Sequence, residues 1–151
     1  MHEDDSLRVS VVIPVYNEEA YIGACLESLM KQNVKPDEII VIDNNSTDNS
    51  VAIAQKYPVR IIHEKIQGMT PARNRGFNEA RYAIIARTDA DTILPVTWIK
   101  RIKKNFCRKT SLAFPAPQHS MIFLRFSNVP LGQKLHHRTL SNHTIKLSNN
   151  F

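Results

Sequence analysis

The chain is poor in the residues that staple small folds. Two cysteines, Cys25 and Cys107, are too few for a disulfide framework or a zinc knuckle, so a reducing, cytoplasmic setting is the expectation. There are only four glycines, and no G-x-G-x-x-G follows the first apolar run, which argues against a dehydrogenase-type dinucleotide site. No run approaches the roughly 18–20 apolar residues of a membrane span. The start, Met1-His2-Glu3-Asp4-Asp5, is acidic and so unlike a signal peptide. The most telling lack is of acid: all 14 Asp and Glu lie at or before Asp91. Residues 1–91 set ten Lys and Arg against fourteen acids, hence −4, while residues 92–151 set ten against none, hence +10. The net charge of +6 therefore describes neither part.

What is present suits one folded domain. A chain of 151 residues, 42% hydrophobic and 23% charged, can bury a core and is no disordered polyelectrolyte. Up to about residue 106, strand and helix signals alternate. Val9–Val15 is a β-branched run of the kind buried on both faces of a parallel sheet. Glu18–Gln32 has helical spacing, with Tyr21/Ile22, Cys25/Leu26 and Leu29/Met30 on one face. Glu38–Asp43 reads as a second buried strand. It runs into Asn44-Asn45-Ser46-Thr47, where Ser46 or Thr47 would cap a helix through Tyr57. Val59–His63 is a third strand. Thr70-Pro71 starts a helix to about Arg81, Tyr82–Thr88 is a fourth strand, and Val96–Lys109 is a helix with Trp98, Ile99, Ile102 and Phe106 along one stripe.

This alternation predicts βαβ units in a mostly parallel α/β sheet, whose ligands bind at the carboxyl edge of the strands. Polar clusters fall at that edge: Tyr16-Asn17-Glu18, Asp43-Asn44-Asn45 and Asp89-Ala90-Asp91. Beyond Lys109 the alternation stops. Met121–Phe126 could form a strand, and Gln133–Lys146 has only weak helical periodicity.

Three clusters could carry chemistry. In Thr88-Asp89-Ala90-Asp91-Thr92 two carboxylates one residue apart follow an apolar strand. They can share a crevice, where one coordinates a hard divalent cation and the other binds the cation or a sugar hydroxyl. A solvated acidic turn is the plain alternative. In Val41 through Asp48 a strand delivers Asp43 and Asn44 toward a ligand, whereas Ser46 through Asp48 suit turn and cap duties. In Gly68 through Phe77, Arg73 lies nearest a helix start and suits a diphosphate, while Arg75 and Arg81 read as solvated helix charges.

Taken together, Val12-Ile13-Pro14-Val15-Tyr16-Asn17-Glu18-Glu19, Val41 through Asp48, Ala72-Arg73-Asn74-Arg75-Gly76-Phe77 and Ala86 through Thr92 resemble, in order and spacing, the donor half of family 2 glycosyltransferases. The resemblance implies a GT-A fold, a nucleotide-diphospho-sugar donor and a divalent metal, Mg²⁺ or Mn²⁺. Carried over by position, Pro14, Val15 and Tyr16 would border base and ribose with Glu18 nearby. Asp43 and Asn44 would occupy the base-reading turn, where many relatives have two Asp. The neutral Asn44 could still offer an amide oxygen to an imide hydrogen. Arg73 would sit near the nucleotide, Asp89 would contact ribose or metal, and Asp91 would be the main metal ligand.

The resemblance divides the chain into a nucleotide-sugar-binding region, residues 1–106, and a basic acid-free tail, residues 107–151. Inverting sugar transfer needs a carboxylate downstream of the D-x-D as base, and residues 92–151 contain none. His119, His136, His137 and His143 are the other proton acceptors there, with nothing to tie them to the site. The sequence leaves two readings open: a truncated or frame-shifted, catalytically inactive donor-binding module, or a transferase completed by another chain, acting on a saccharide or lipid-linked acceptor. Lys100 through Lys109 adds a third, a peripheral contact with an anionic membrane surface at the inner face. The plain alternative is the solvated face of a packed helix. Nucleic acid fits poorly, because Phe106, Phe114, Phe123 and Phe126 form no stacking platform.

Overall fold

A computed structural model describes residues 7–107 and 121–124. The apolar runs become β1 (Val9–Val15), β2 (Glu38–Asp43), β3 (Arg60–His63), β4 (Ile84–Arg87) and β5 (Met121–Leu124). The helices are α1 (Ile22–Met30), α2 (Ser50–Ala54), α3 (Met69–Glu79) and α4 (Trp98–Cys107). The strands form one sheet in the order β3-β2-β1-β4-β5. The first four are parallel, and β5 lies antiparallel on β4, pairing Met121 with Arg87 and Leu124 with Ile84. The expected α/β fold is therefore present. The segment after residue 107 returns to the sheet at the strand that leads into Asp89-Ala90-Asp91.

Strand burial follows from having helices on both faces. Val9, Val11, Ile13 and Val15 of β1 join Ile39, Val41, Ile84 and Ala86 in a core with Ile22, Cys25, Leu26 and Leu29 of α1 and Trp98, Ile99 and Ile102 of α4. On the other face Val12, Ile40, Ile42 and Ile85 pack on Ala72 and Phe77 of α3. Consecutive side chains of a strand point to opposite faces, so a strand covered on both has no polar position to spare. Chain direction reverses after β3, when β4 returns to the far side of β1. Right-handed crossovers then place α1 and α2 on one face and α3 on the other. The resulting switch point lies between the ends of β1 and β4, where open α/β sheets bind ligands.

Helix ends differ from the sequence expectations for local reasons. Glu18–Tyr21 is a turn, and α1 starts at Ile22, because the Glu18 and Glu19 N–H groups donate to Ser50 Oγ (2.7 Å) and Asp48 Oδ2 (3.0 Å). Ser46 and Thr47 do not cap α2. Ser46 Oγ accepts from Asn17 N–H at 3.1 Å and Thr47 N–H donates to Asn17 Oδ1 at 2.8 Å, so both lock the loop after β1. Asp48 Oδ1 receives the Ser50 N–H instead, at 2.9 Å. Thr70 is likewise no cap: α3 begins at Met69 after Gly68, whose φ of 136° glycine adopts without strain. Strands β3 and β4 and helix α4 each fall a few residues inside their expected spans. The weakly periodic segment 133–146, the four downstream histidines, Phe114 and Phe126 lie outside the described residues.

Candidate functional site

At the carboxyl edge of the sheet, three loops are tied to one another by side chains. Asn17, in the left-handed region with φ 53°, holds the β1 loop against Ser46 and Thr47, and Glu19 Oε2 accepts from the N–H and Nδ2 of Asn49, both at 3.0 Å. The next lacing runs from β2 to the residues after β3. Asn44 Nδ2 donates to the carbonyls of Glu64 (2.9 Å) and Ile66 (2.7 Å), and its Oδ1 accepts from Gly68 N–H at 2.7 Å. Asn45 adds bonds to the Lys65 carbonyl and to Gln67 Oε1. Asp43 is also built in: Oδ1 accepts from Ser46 N–H at 3.0 Å and Oδ2 from His63 Nδ1–H at 2.8 Å. Both Asp43 and Asn44 are 3% exposed, so their polar atoms hold the wall of the crevice together.

The loop after β4 carries the acids. Asp91 is exposed, the Asp89 side chain is about one third exposed, and Glu18 faces them from the end of β1. Burial, then repulsion from Asp91, Asp48 and Asp89, raises the Glu18 pKa above its ordinary value. These carboxylates share one region of negative potential. Behind them, the Cys25 thiol donates to the Asp89 carbonyl at 3.7 Å, and burial followed by the fields of Asp91 and Asp89 pushes its pKa up to about 12. Cys25 is therefore a packed thiol under the turn. The segment leaving the turn is pinned to α1: Leu94 N–H donates to Ser28 Oγ, Gln32 Nε2 to the Pro95 carbonyl, and Ile99 N–H to Gln32 Oε1.

Cationic groups stand beside the acids. Arg87 is 5% exposed, and its Nη1 donates to Asp89 Oδ1 at 2.9 Å. Burial lowers its pKa, Asp89 opposes that shift, and Arg73 on α3 adds to it, which places the two guanidinium groups within each other's field. Arg73 is half-buried at the start of α3, with Nε donating to the Met69 carbonyl at 3.3 Å. Arg75 pairs with Glu79, and Arg81 with Glu38, away from this edge.

The structure thus sets Glu18, Asp89 and Asp91 in one another's field, with Arg73 in the field of Arg87, and leaves Tyr16 half exposed at the rim. It gives Val15 to the core, so only its backbone reaches the edge, where its carbonyl accepts from Asn44 N–H. Pro14 is partly buried one residue earlier. Sequence reasoning did not assign Arg87, Ser50 or Cys25 a place here. The signal for Arg87 was available: a lone guanidinium closing a buried apolar strand requires an acid, and the next acid is Asp89. Among the described residues no three His, Cys, Asp or Glu side chains stand close enough to hold a metal ion by themselves. Asp89 and Asp91 are nonetheless hard oxygen donors at an accessible edge, and they suit Mg²⁺ or Mn²⁺ when a ligand's phosphate oxygens complete the shell.

The sequence pattern of Glycosyl transferase family 2 matches residues 10–143, and the chain belongs to that family. Among its relatives is the uncharacterized glycosyltransferase YibD of Escherichia coli, 44% identical over 89 residues, which cover 56% of this chain and 26% of YibD. The fold resembles that of S. aureus TarS 1–349 in complex with UDP-GlcNAc, at 26% identity and a TM-score of 0.59 over 65% of this chain and 30% of that one. It also resembles the mannosyltransferase PcManGT of Pyrobaculum calidifontis in complex with GDP-Man and Mn²⁺. That likeness has 29% identity and a TM-score of 0.58, over 64% of this chain and 31% of the other. The chain spans between 26% and 33% of the length of four curated relatives it matches. The family pattern extends past residue 106, and its reach to residue 143 takes in β5.

Proposed function

We propose that this chain binds a nucleotide-diphospho-sugar with a divalent cation at the β1–β4 switch point, as the donor side of a transferase that passes the sugar to an acceptor hydroxyl. The observation that carries this reading is that Asp89 and Asp91 end β4 in the field of Glu18, while Arg87, bonded to Asp89 at 2.9 Å, lies in the field of Arg73 from the start of α3. A carboxylate cluster alone would repel a diphosphate, and a guanidinium cluster alone would repel a cation. An edge with both suits the pair bound together. The complexes of TarS with UDP-GlcNAc and of PcManGT with GDP-Man and Mn²⁺ support the same class of ligand.

In this reading Asp91 is the main ligand of the cation, which when bound neutralises charge on the departing diphosphate, and Asp89 contacts the ribose or the cation. Arg73 draws the diphosphate toward the start of α3 with a guanidinium that stays charged throughout. Tyr16 and Pro14 flank the nucleoside, and Asp43 and Asn44 shape its wall. Sugar transfer also needs a base for the acceptor hydroxyl. Residues 92–151 hold no Asp or Glu, so none of them supplies that base as a carboxylate. The acceptor is a saccharide or lipid-linked. A buried free thiol at Cys25 fits a reducing, cytoplasmic setting.

The test offers UDP-, dTDP- and GDP-sugars with Mn²⁺ and follows both nucleotide binding and release of sugar or nucleoside diphosphate. Mn²⁺-dependent nucleotide binding that Asp91→Ala abolishes is the expected result. Turnover lost in the same variant would make the chain an enzyme on its own, and binding without turnover would make it a donor-binding module. No nucleotide binding with any of the three would overturn the reading.

A further inference from the structure

Arg87 has a position that the donor-site reading does not explain. It closes a strand whose other residues are apolar and fully packed, and two residues further along it meets Asp89. Ile85, two residues earlier in β4, belongs to the α3 face, and a strand repeats its facing every two residues, so Arg87 lies on the same face, in the field of Arg73 on α3. Burying a guanidinium there is costly unless something is gained from it, and a leucine would fill the space without the penalty. Its Nη1 bonds Asp89 Oδ1 at 2.9 Å, while its buried Nε finds no partner among the described residues. The pairing is selective. Asp91, the other acid of the turn, has no ion pair with Arg87, although only one residue separates it from Asp89.

We infer that Arg87 is a positioning residue that divides the labour of the two aspartates, holding Asp89 for the nucleotide and leaving the cation to Asp91. A carboxylate already neutralised by a buried guanidinium is a weak ligand for a second cation, because its charge is satisfied and one oxygen is directed. It remains a good acceptor for a neutral hydroxyl. Asp91, more exposed and unpaired with Arg87, keeps its full charge for the metal. The inference rests on the donor-site reading above.

The division makes the two ligands respond in opposite directions, which a merely structural role for Arg87 would not do. Mn²⁺ alone, followed by electron paramagnetic resonance, is expected to bind Arg87→Met about three- to tenfold more tightly than the unmodified chain, since a carboxylate is released and a positive charge removed. UDP or GDP at saturating Mn²⁺ is expected to bind the same variant about tenfold more weakly, since Asp89 is no longer oriented. Arg87→Lys keeps the charge and loses the fork, so Mn²⁺ affinity returns to the unmodified level while nucleotide affinity stays reduced. In the Asp89→Asn background Arg87→Met should strengthen Mn²⁺ binding less than it does in the unmodified chain, since only the removed positive charge then acts.

A second measurement needs no change at Arg87 and covers the case in which Arg87→Met fails to fold. Asp89→Asn is expected to weaken Mn²⁺ alone no more than about twofold, against its loss in Asp91→Ala. If Mn²⁺ and nucleotide weaken together in Arg87→Met, or if Asp89→Asn loses Mn²⁺ as completely as Asp91→Ala, the division of labour is overturned and the donor site stands. If the unmodified chain binds neither Mn²⁺ nor nucleotide, the donor-site reading falls and this inference with it.

Discussion

Asn44 illustrates how one side chain can fix a whole wall of the site. Three hydrogen bonds, two donated and one accepted, join its buried side chain to residues 64–68. Replacing it with alanine strands two carbonyls and one N–H, so Asn44→Ala is expected to lose about 2–4 kcal/mol in urea unfolding. Trypsin should also cut at Lys65 faster. Asn44→Asp should be no milder at neutral pH, because oxygens would then face the Glu64 and Ile66 carbonyls. Asp48 gives a pH signature at the same scale. Desolvation, the largest single influence, raises its pKa, and hydrogen bonds from Ser50 and Glu19 together outweigh it and bring it below the ordinary 3.8. A carboxylate with a lowered folded pKa adds stability above its unfolded pKa and loses it as pH falls through the folded value. Asp48→Asn should therefore shift the urea midpoint at about pH 6, with the difference fading as pH falls below roughly 3.

Among the elements, α3 is the one most closely fitted to the sheet. It crosses β1 and β2 at Gly76, where an added Cβ would stand 2.2 Å from Val12 Cγ1 and 3.2 Å from Ile42 Cγ1. Alanine would favour the helix by about 1 kcal/mol. Overpacking against a fully buried valine acts the other way and is the larger effect, because Val12 has no room to turn. Gly76→Ala is expected to be about 1–3 kcal/mol less stable than the natural chain by thermal or urea unfolding, and Val12→Ala in the same background should recover part of that loss. The same close approach lets the start of α3 bring Arg73 to the crevice. A glycine that lets the helix pack closely thus also sets the position of Arg73, the proposed diphosphate ligand.

Over the whole molecule, the split in charge decides how the surface behaves. The stripe of α4 that could enter a bilayer, Trp98, Ile99 and Ile102, is buried in the core, and Lys103 is paired with Asp37 at 2.9 Å. Lys100, Arg101 and Lys104 remain exposed. No helix among the described residues is long and apolar enough to cross a membrane. Binding to anionic phosphatidylglycerol vesicles is therefore expected to be wholly electrostatic, present at about 50 mM salt and gone by about 300 mM in a pelleting assay. Retention at the higher salt would show that an apolar face inserts.

The sequence alone determined the alternation of strands and helices, the parallel sheet and the edge where acids gather, because burial on both faces leaves a continuous apolar run and its end must turn polar. Val9–Val15, Glu38–Asp43 and the aspartates after β4 were legible for that reason. Their order and spacing also pointed to the family that residues 10–143 match. Tertiary structure decided which partners these polar side chains take within the fold. Ser46 and Thr47, expected as caps, bind Asn17; Asn44, expected at the ligand, also laces a loop. Arg87 looked like one more strand residue and proved to be the partner of Asp89. A hydrogen bond depends on direction and on what lies across the space, and residues 20 to 30 positions apart meet there only after the chain has folded.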